Sequence, residues 1–178
     1  MADVHGQKNK EDGNVPYFIE NIGQWEGDFS YRFSDGIIDA FFDRSGITYA
    51  VKSQKAGSTN KNGRGNYALE CVKMKFVGVD SVGYSGRKIR PHYLNYILGN
   101  DSAKWKSKVP LYEELEGKIN NDITIMVHPQ RRGIKYDLVL APGGDIESVK
   151  IKYEGADVSV TQDGKLLIEM KYGTLMET

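Results

Sequence analysis

The sequence predicts an all-β fold, an antiparallel two-sheet sandwich of about ten short strands, and three observations carry that prediction. Apolar residues recur with a period of two almost everywhere, as in Ile38, Ala40, Phe42 and again in Ile123, Ile125, Val127. No window keeps an apolar stripe at helical spacing beyond about two turns. Turn-forming clusters such as Arg44-Ser45-Gly46, Pro142-Gly143-Gly144 and Asp163-Gly164 punctuate the strands at short intervals. Strands without crossover helices pair antiparallel, and one-sided alternation gives sheets with one wet face.

Taken in order, Ile38–Phe42 and Ile47–Val51 flank a short turn and read as a hairpin. Val72, Met74 and Phe76 share one face of a longer strand, with Lys73 and Lys75 on the other. Strand patterns follow at Leu94, Tyr96, Leu98, at Leu111 and Leu115, at Ile123 to Val127, and at Ile134, Tyr136, Leu138, Leu140. The last third repeats the scheme with Val149, Ile151, Tyr153, then Val158 and Val160, then Leu166 to Met170. The polar stretch from Asp101 to Lys106 suits one short helical turn.

Two segments break the alternation. Ser53 to Asn66 is polar and glycine-rich, which predicts a mobile loop over 53–66. Asp80 to Pro91 carries Arg87, Lys88 and Arg90, a basic cluster expected in a solvated loop. Residues 1–14 are polar and charged and are expected to form a flexible tail, leaving residues 15–178 as a single domain.

Composition narrows function. The chain has 178 residues, and its 24 basic and 24 acidic side chains cancel, so no summed field draws in phosphate backbones; nucleic acid is not an expected partner. No apolar run is long enough to insert into a bilayer as a helix. The lone Cys71 forms no internal disulfide and sits in an alternating strand pattern, as an inert structural thiol would.

Catalytic constellations are sparse. His5, His92 and His128 lie far apart and outside any zinc-binding spacing, and His128 belongs to a strand face with Thr124 and Met126. No nucleophile elbow and no phosphate-cradling loop is present. Asp39 and Asp43 share a strand face about 13 Å apart, too far for a glycosidase pair. Asn100 and Asp101 offer oxygens, yet no calcium-loop spacing surrounds them. The reading is therefore a non-enzyme with no cofactor and no metal. The candidate binding residues are Trp25 and Trp105, rings in loop-like contexts, with Asn100 and Asp101 beside the second.

The segment Phe18-Ile19-Glu20-Asn21-Ile22-Gly23-Gln24-Trp25 resembles the opening of an uncharacterised N-terminal domain of large secreted bacterial proteins. Those proteins often continue into SBBP beta-propeller-like repeats and gliding-motility-associated segments. The similarity continues through Asn95 to Asp101, Trp105, Val109-Pro110, Ile134 to Asp137, Ala141 to Gly143 and Ile151 to Ala156. It departs at Lys118 to Asp122, where that family usually reads Tyr-Pro-Gly-Ile-Asp. The resemblance implies export, with the leader outside this sequence, a secreted or cell-surface location, and further domains of the same polypeptide as neighbours. It carries no catalytic residues.

The expected function is a non-catalytic structural or adhesive module whose partner is an extracellular protein or glycan. The alternative is a carbohydrate-binding domain using Trp25 and Trp105; a hydrolase is the least favoured. Asn21, Gln24, Asn95, Asn100 and Asp101 are expected to act chiefly in architecture, their side chains bonding nearby backbone at turns.

Overall fold

A computed structural model describes residues 4–6, 15–59 and 65–177. The chain runs through β1 (Val4–Gly6), β2 (Phe18–Glu20), β3 (Tyr31–Ser34), β4 (Ile38–Asp43), β5 (Gly46–Thr59), β6 (Gly65–Phe76) and β7 (Gly83–Tyr96). It continues through β8 (Lys106–Lys118), β9 (Ile123–Pro129), β10 (Ile134–Leu140), β11 (Ile151–Glu154), β12 (Asp157–Val160), β13 (Leu166–Glu169) and β14 (Thr174–Glu177). The fold is all-β and antiparallel, as the period of two predicts.

Eleven strands form one sheet in the order β1-β7-β8-β2-β3-β4-β5-β6-β11, with β9 and β10 branching from β8; β12, β13 and β14 form a second, small sheet. The branch point explains the layering. On one edge of β8, Leu111 and Tyr112 pair with β2, while Leu115 to Lys118 pair with β9. The opposite edge pairs with β7. A strand cannot bond two neighbours on one edge at the same residues, so the sheet forks there and its two arms fold over a shared core. Phe18, Phe33, Phe42, Ile47 and Met74 come from one arm, and Leu115, Ile123, Ile125 and Val127 from the other. Phe42 packs edge-on against Phe18 and against Tyr84, each at 5.3 Å between ring centroids.

Alternation places these residues. In β9, Ile123, Ile125 and Val127 are buried while Thr124, Met126 and His128 lie half-buried between them. The β4–β5 hairpin turns at Gly46, where φ is 142° and a Cβ would stand 2.0 Å from the Met74 carbonyl oxygen, so the turn admits only glycine.

Three expectations need correction. The segment read as a loop over 53–66 is largely strand: β5 runs to Thr59 and β6 begins at Gly65, with the register shifting between Gln54 and Thr59. Backbone pairing needs no apolar side chains once the hairpin is anchored lower down by Ile47 and Val72, so polarity misled the reading; residues 60–64 lie outside the described residues. The basic segment Asp80 to Pro91 lies mostly on β7, where Arg87, Lys88 and Arg90 face Glu116, Glu114 and Glu113 of β8. The backbone of β7 pairs with β8 along this stretch, and opposite charges across the two strands suit that pairing, each exposed pair contributing only about 0.2–1 kcal/mol. In the expected N-terminal tail, Val4–Gly6 pair with Leu94 to Tyr96, and the rest of 1–14 lies outside the described residues.

The helical turn expected near 101–106 is a single 3₁₀ turn at Ser102–Lys104, capped by Asp101, whose Oδ1 accepts from the Ala103 N–H at 3.1 Å. A second such turn at Ile146–Ser148, capped by Asp145, was not expected.

Candidate functional site

At one end of the sandwich the two most distinctive motifs meet. Asn21 sits at the hub of a turn. Its Nδ2 donates to the carbonyls of Trp25 (3.3 Å) and Phe29 (3.1 Å), and its Oδ1 accepts from the N–H of Gly23 (3.1 Å) and Trp25 (3.4 Å). Gln24 reaches back: its Oε1 accepts from the Ile22 N–H at 2.8 Å and its Nε2 donates to the Glu20 carbonyl. The Trp25 ring then lies edge-on to Tyr96 at 5.1 Å, with the Arg32 guanidinium 5.1 Å above it. Arg32 also covers Phe41 and donates to Asp39 at 2.9 Å. Burial pushes the Asp39 carboxyl up, but hydrogen bonds from Ser34 and Arg32 outweigh it and hold Asp39 below the usual carboxylate range. Trp25 is thus half-buried, with Arg32 over its ring and Tyr96 at its edge.

The second motif folds against the first. Asn95 Oδ1 accepts from the Lys108 N–H at 2.9 Å, fixing a residue with φ of 57° at which the β7–β8 register slips. Trp105 donates its indole N–H to the Gly99 carbonyl at 3.2 Å and stays 40% exposed. A Cβ on Gly23 would stand 3.3 Å from Lys106 Cε, so the two loops touch. Asn100 and Asp101 are exposed; Asp101 spends its carboxylate on the helical cap, but Asn100 makes no hydrogen bond among the described residues, so the turn-holding role expected of it is not seen. Of the four candidate binding residues, Trp105 alone offers a large open surface. Asn21→Ala removes one partner from four backbone groups and is expected to cost about 1–3 kcal/mol, lowering the melting temperature by several degrees in a thermal melt followed by circular dichroism.

A different region holds the open space. Clefts of about 560 and 550 Å³ flank the seam between the large and the small sheet, and both are lined by Tyr136, Leu166 and Glu177. The Glu177 carboxyl group accepts hydrogen bonds from Tyr136 (2.8 Å) and Tyr153 (2.7 Å). Burial, reinforced by Glu177, pushes both phenols far above their ordinary range, so they act as neutral donors.

Elsewhere, His128 lies 3.6 Å from Glu114 through Nδ1 and 3.4 Å from Asp137 through Nε2, within a charged strand face. Cys71 is exposed on the outward face of β6, opposite Ala50, rather than packed as a structural thiol. Its strand parity decides this: Val72 and Met74 turn inward, so residue 71 turns out. Among the described residues, no group of three or more His, Cys, Asp or Glu side chains is placed to hold a metal ion.

A family model described as Domain of unknown function (DUF7948) matches residues 18–178. The chain belongs to that family. No curated protein matches the sequence, and no solved structure matches it. The DUF7948 match begins at Phe18, so it takes in both motif loops and the seam.

Within this DUF7948 chain, the seam residues were not foreseen as a group. Tyr136 and Tyr153 read as members of apolar strand faces, which they are. Their hydroxyls converge on a carboxyl group 41 and 24 residues further along, a distance that periodicity does not report. One signal was present: a tyrosine at an inward position needs a partner for its hydroxyl.

Proposed function

We propose that this DUF7948 domain is a non-catalytic structural or adhesive module of a secreted or cell-surface bacterial protein, of the kind that continues into SBBP beta-propeller-like repeats. The observation that carries the reading is the use made of the distinctive polar residues. Asn21, Gln24, Asn95 and Asp101 all bond to the chain's own backbone. Groups committed in this way hold loops in shape, and that use supports a structural role for the two motifs.

The test has two arms. Antibody against the domain should label intact cells, and a protease added outside should remove the label; a signal found only after lysis rejects the location. Trp105→Ala should leave the glycan-array profile as in the parent, with at most a small fall in melting temperature from the lost bond to Gly99. A glycan signal that disappears in Trp105→Ala at unchanged stability transfers the function to that loop.

A further inference from the structure

The seam clefts form a series. The first and second share Tyr136, Leu166 and Glu177, and the second shares Ala156 and Asp157 with a third of about 510 Å³. Three neighbouring open clefts that share lining residues offer more room than one compact cofactor fills, as successive units of a linear chain would use.

The lining of the first cleft is mixed in character. Ile38, Leu166 and Leu175 supply apolar surface, and Tyr136 and Glu177 supply hydroxyl and carboxyl groups. A pyranose chain has the matching pattern, C–H faces beside rings of hydroxyls. Charge narrows the choice further. Arg132, at the first cleft, is exposed and has no ion-pair partner among the described residues, whereas Lys135 beside it is held by Asp137 at 2.9 Å. A guanidinium fork receives a carboxylate through two parallel hydrogen bonds. Glu177 would repel a second carboxylate set against it, so the adjoining sugar must be neutral.

We propose that these clefts bind an oligosaccharide in which uronic acid alternates with a neutral sugar, the uronate carboxylate on Arg132 and the neutral ring against Tyr136 and Glu177. This gives the adhesive reading a ligand, and its test is independent of cell location.

Isotope-labelled domain titrated with a hyaluronan hexasaccharide should show saturable amide shifts at residues 130–136 and 164–177. Affinity should fall about tenfold or more for chitohexaose, which has the same length without carboxylates, and equally in Arg132→Ala, whose exposed side chain can be removed without disturbing the core. Trp105→Ala should bind like the parent. The proposal is overturned by absence of saturable binding at millimolar sugar, by equal affinity for the neutral chain, by unchanged binding in Arg132→Ala, by loss of binding in Trp105→Ala, or by preference for a hexaglutamate peptide. If the sugar fails to bind while intact cells still label, the seam assignment falls and the surface module stands.

Discussion

Phe42→Ala is expected to bring the domain to the margin of unfolding. Phe42 is 0% exposed and packs edge-on against Phe18 and Tyr84, so its removal opens a cavity at the centre of the core. Truncations of this kind cost about 3–5 kcal/mol, against a total stability on the order of 5–15 kcal/mol for a typical domain. The melting temperature should fall by on the order of 10 °C, and the urea midpoint should fall with it at unchanged slope. Phe42→Leu, which keeps much of the volume, should lose distinctly less. A melt of Phe42→Ala within about 2 °C of the parent would mean that the two arms do not close over this ring.

Alkali should unfold the protein cooperatively, because seven of its eleven tyrosines resist ionisation in the folded state. Burial raises Tyr31, Tyr49, Tyr84, Tyr136 and Tyr153, and pushes Tyr96 and Tyr112 up to about 12. Below pH ~10 both folded and unfolded chains hold these protons, so this contribution is intact. Above it the unfolded chain releases protons that the folded chain retains, and stability drops as pH rises towards the folded values. Between the unfolded and the folded value each such tyrosine removes about 1.4 kcal/mol per pH unit, and this window closes near pH 12 for Tyr96 and Tyr112 but extends further for the deeply buried Tyr49 and Tyr84. Absorbance at 295 nm and far-ultraviolet circular dichroism, followed together, should show these seven phenols ionising only as strand signal is lost. Ionisation of all eleven near pH 10 with the strand signal intact would contradict the burial described here.

The alternation of apolar residues made most strands legible because one buried face imposes a period of two on any sheet, and Ile123 to Val127 show it without exception. It failed where neither face is apolar. Arg87, Lys88 and Arg90 read as solvent, since their counter-charges at Glu113, Glu114 and Glu116 sit on a strand whose position across from them was not known. The turn around Asn21 was legible for a local reason, as its side chain bonds only residues within eight positions. The group at Glu177 was not, because it joins β10, β11 and β14, and no pattern within one strand carries that information.

The fork along β8 also sets an order of events during synthesis. β3, β4, β5 and β6 pair with sequence neighbours and can assemble as they emerge. β2 must wait, because its second partner arrives late: Glu20 and Tyr112, which end up hydrogen-bonded, are 92 residues apart. At about 5–20 residues per second that interval lasts several seconds, during which the Phe18 side of the core has no lid and the outer edge of β2 is open. The nascent chain therefore carries two open edges, that of β2 until β8 appears and that of β6 until β11 appears, and a holding chaperone would have its greatest effect while both are open.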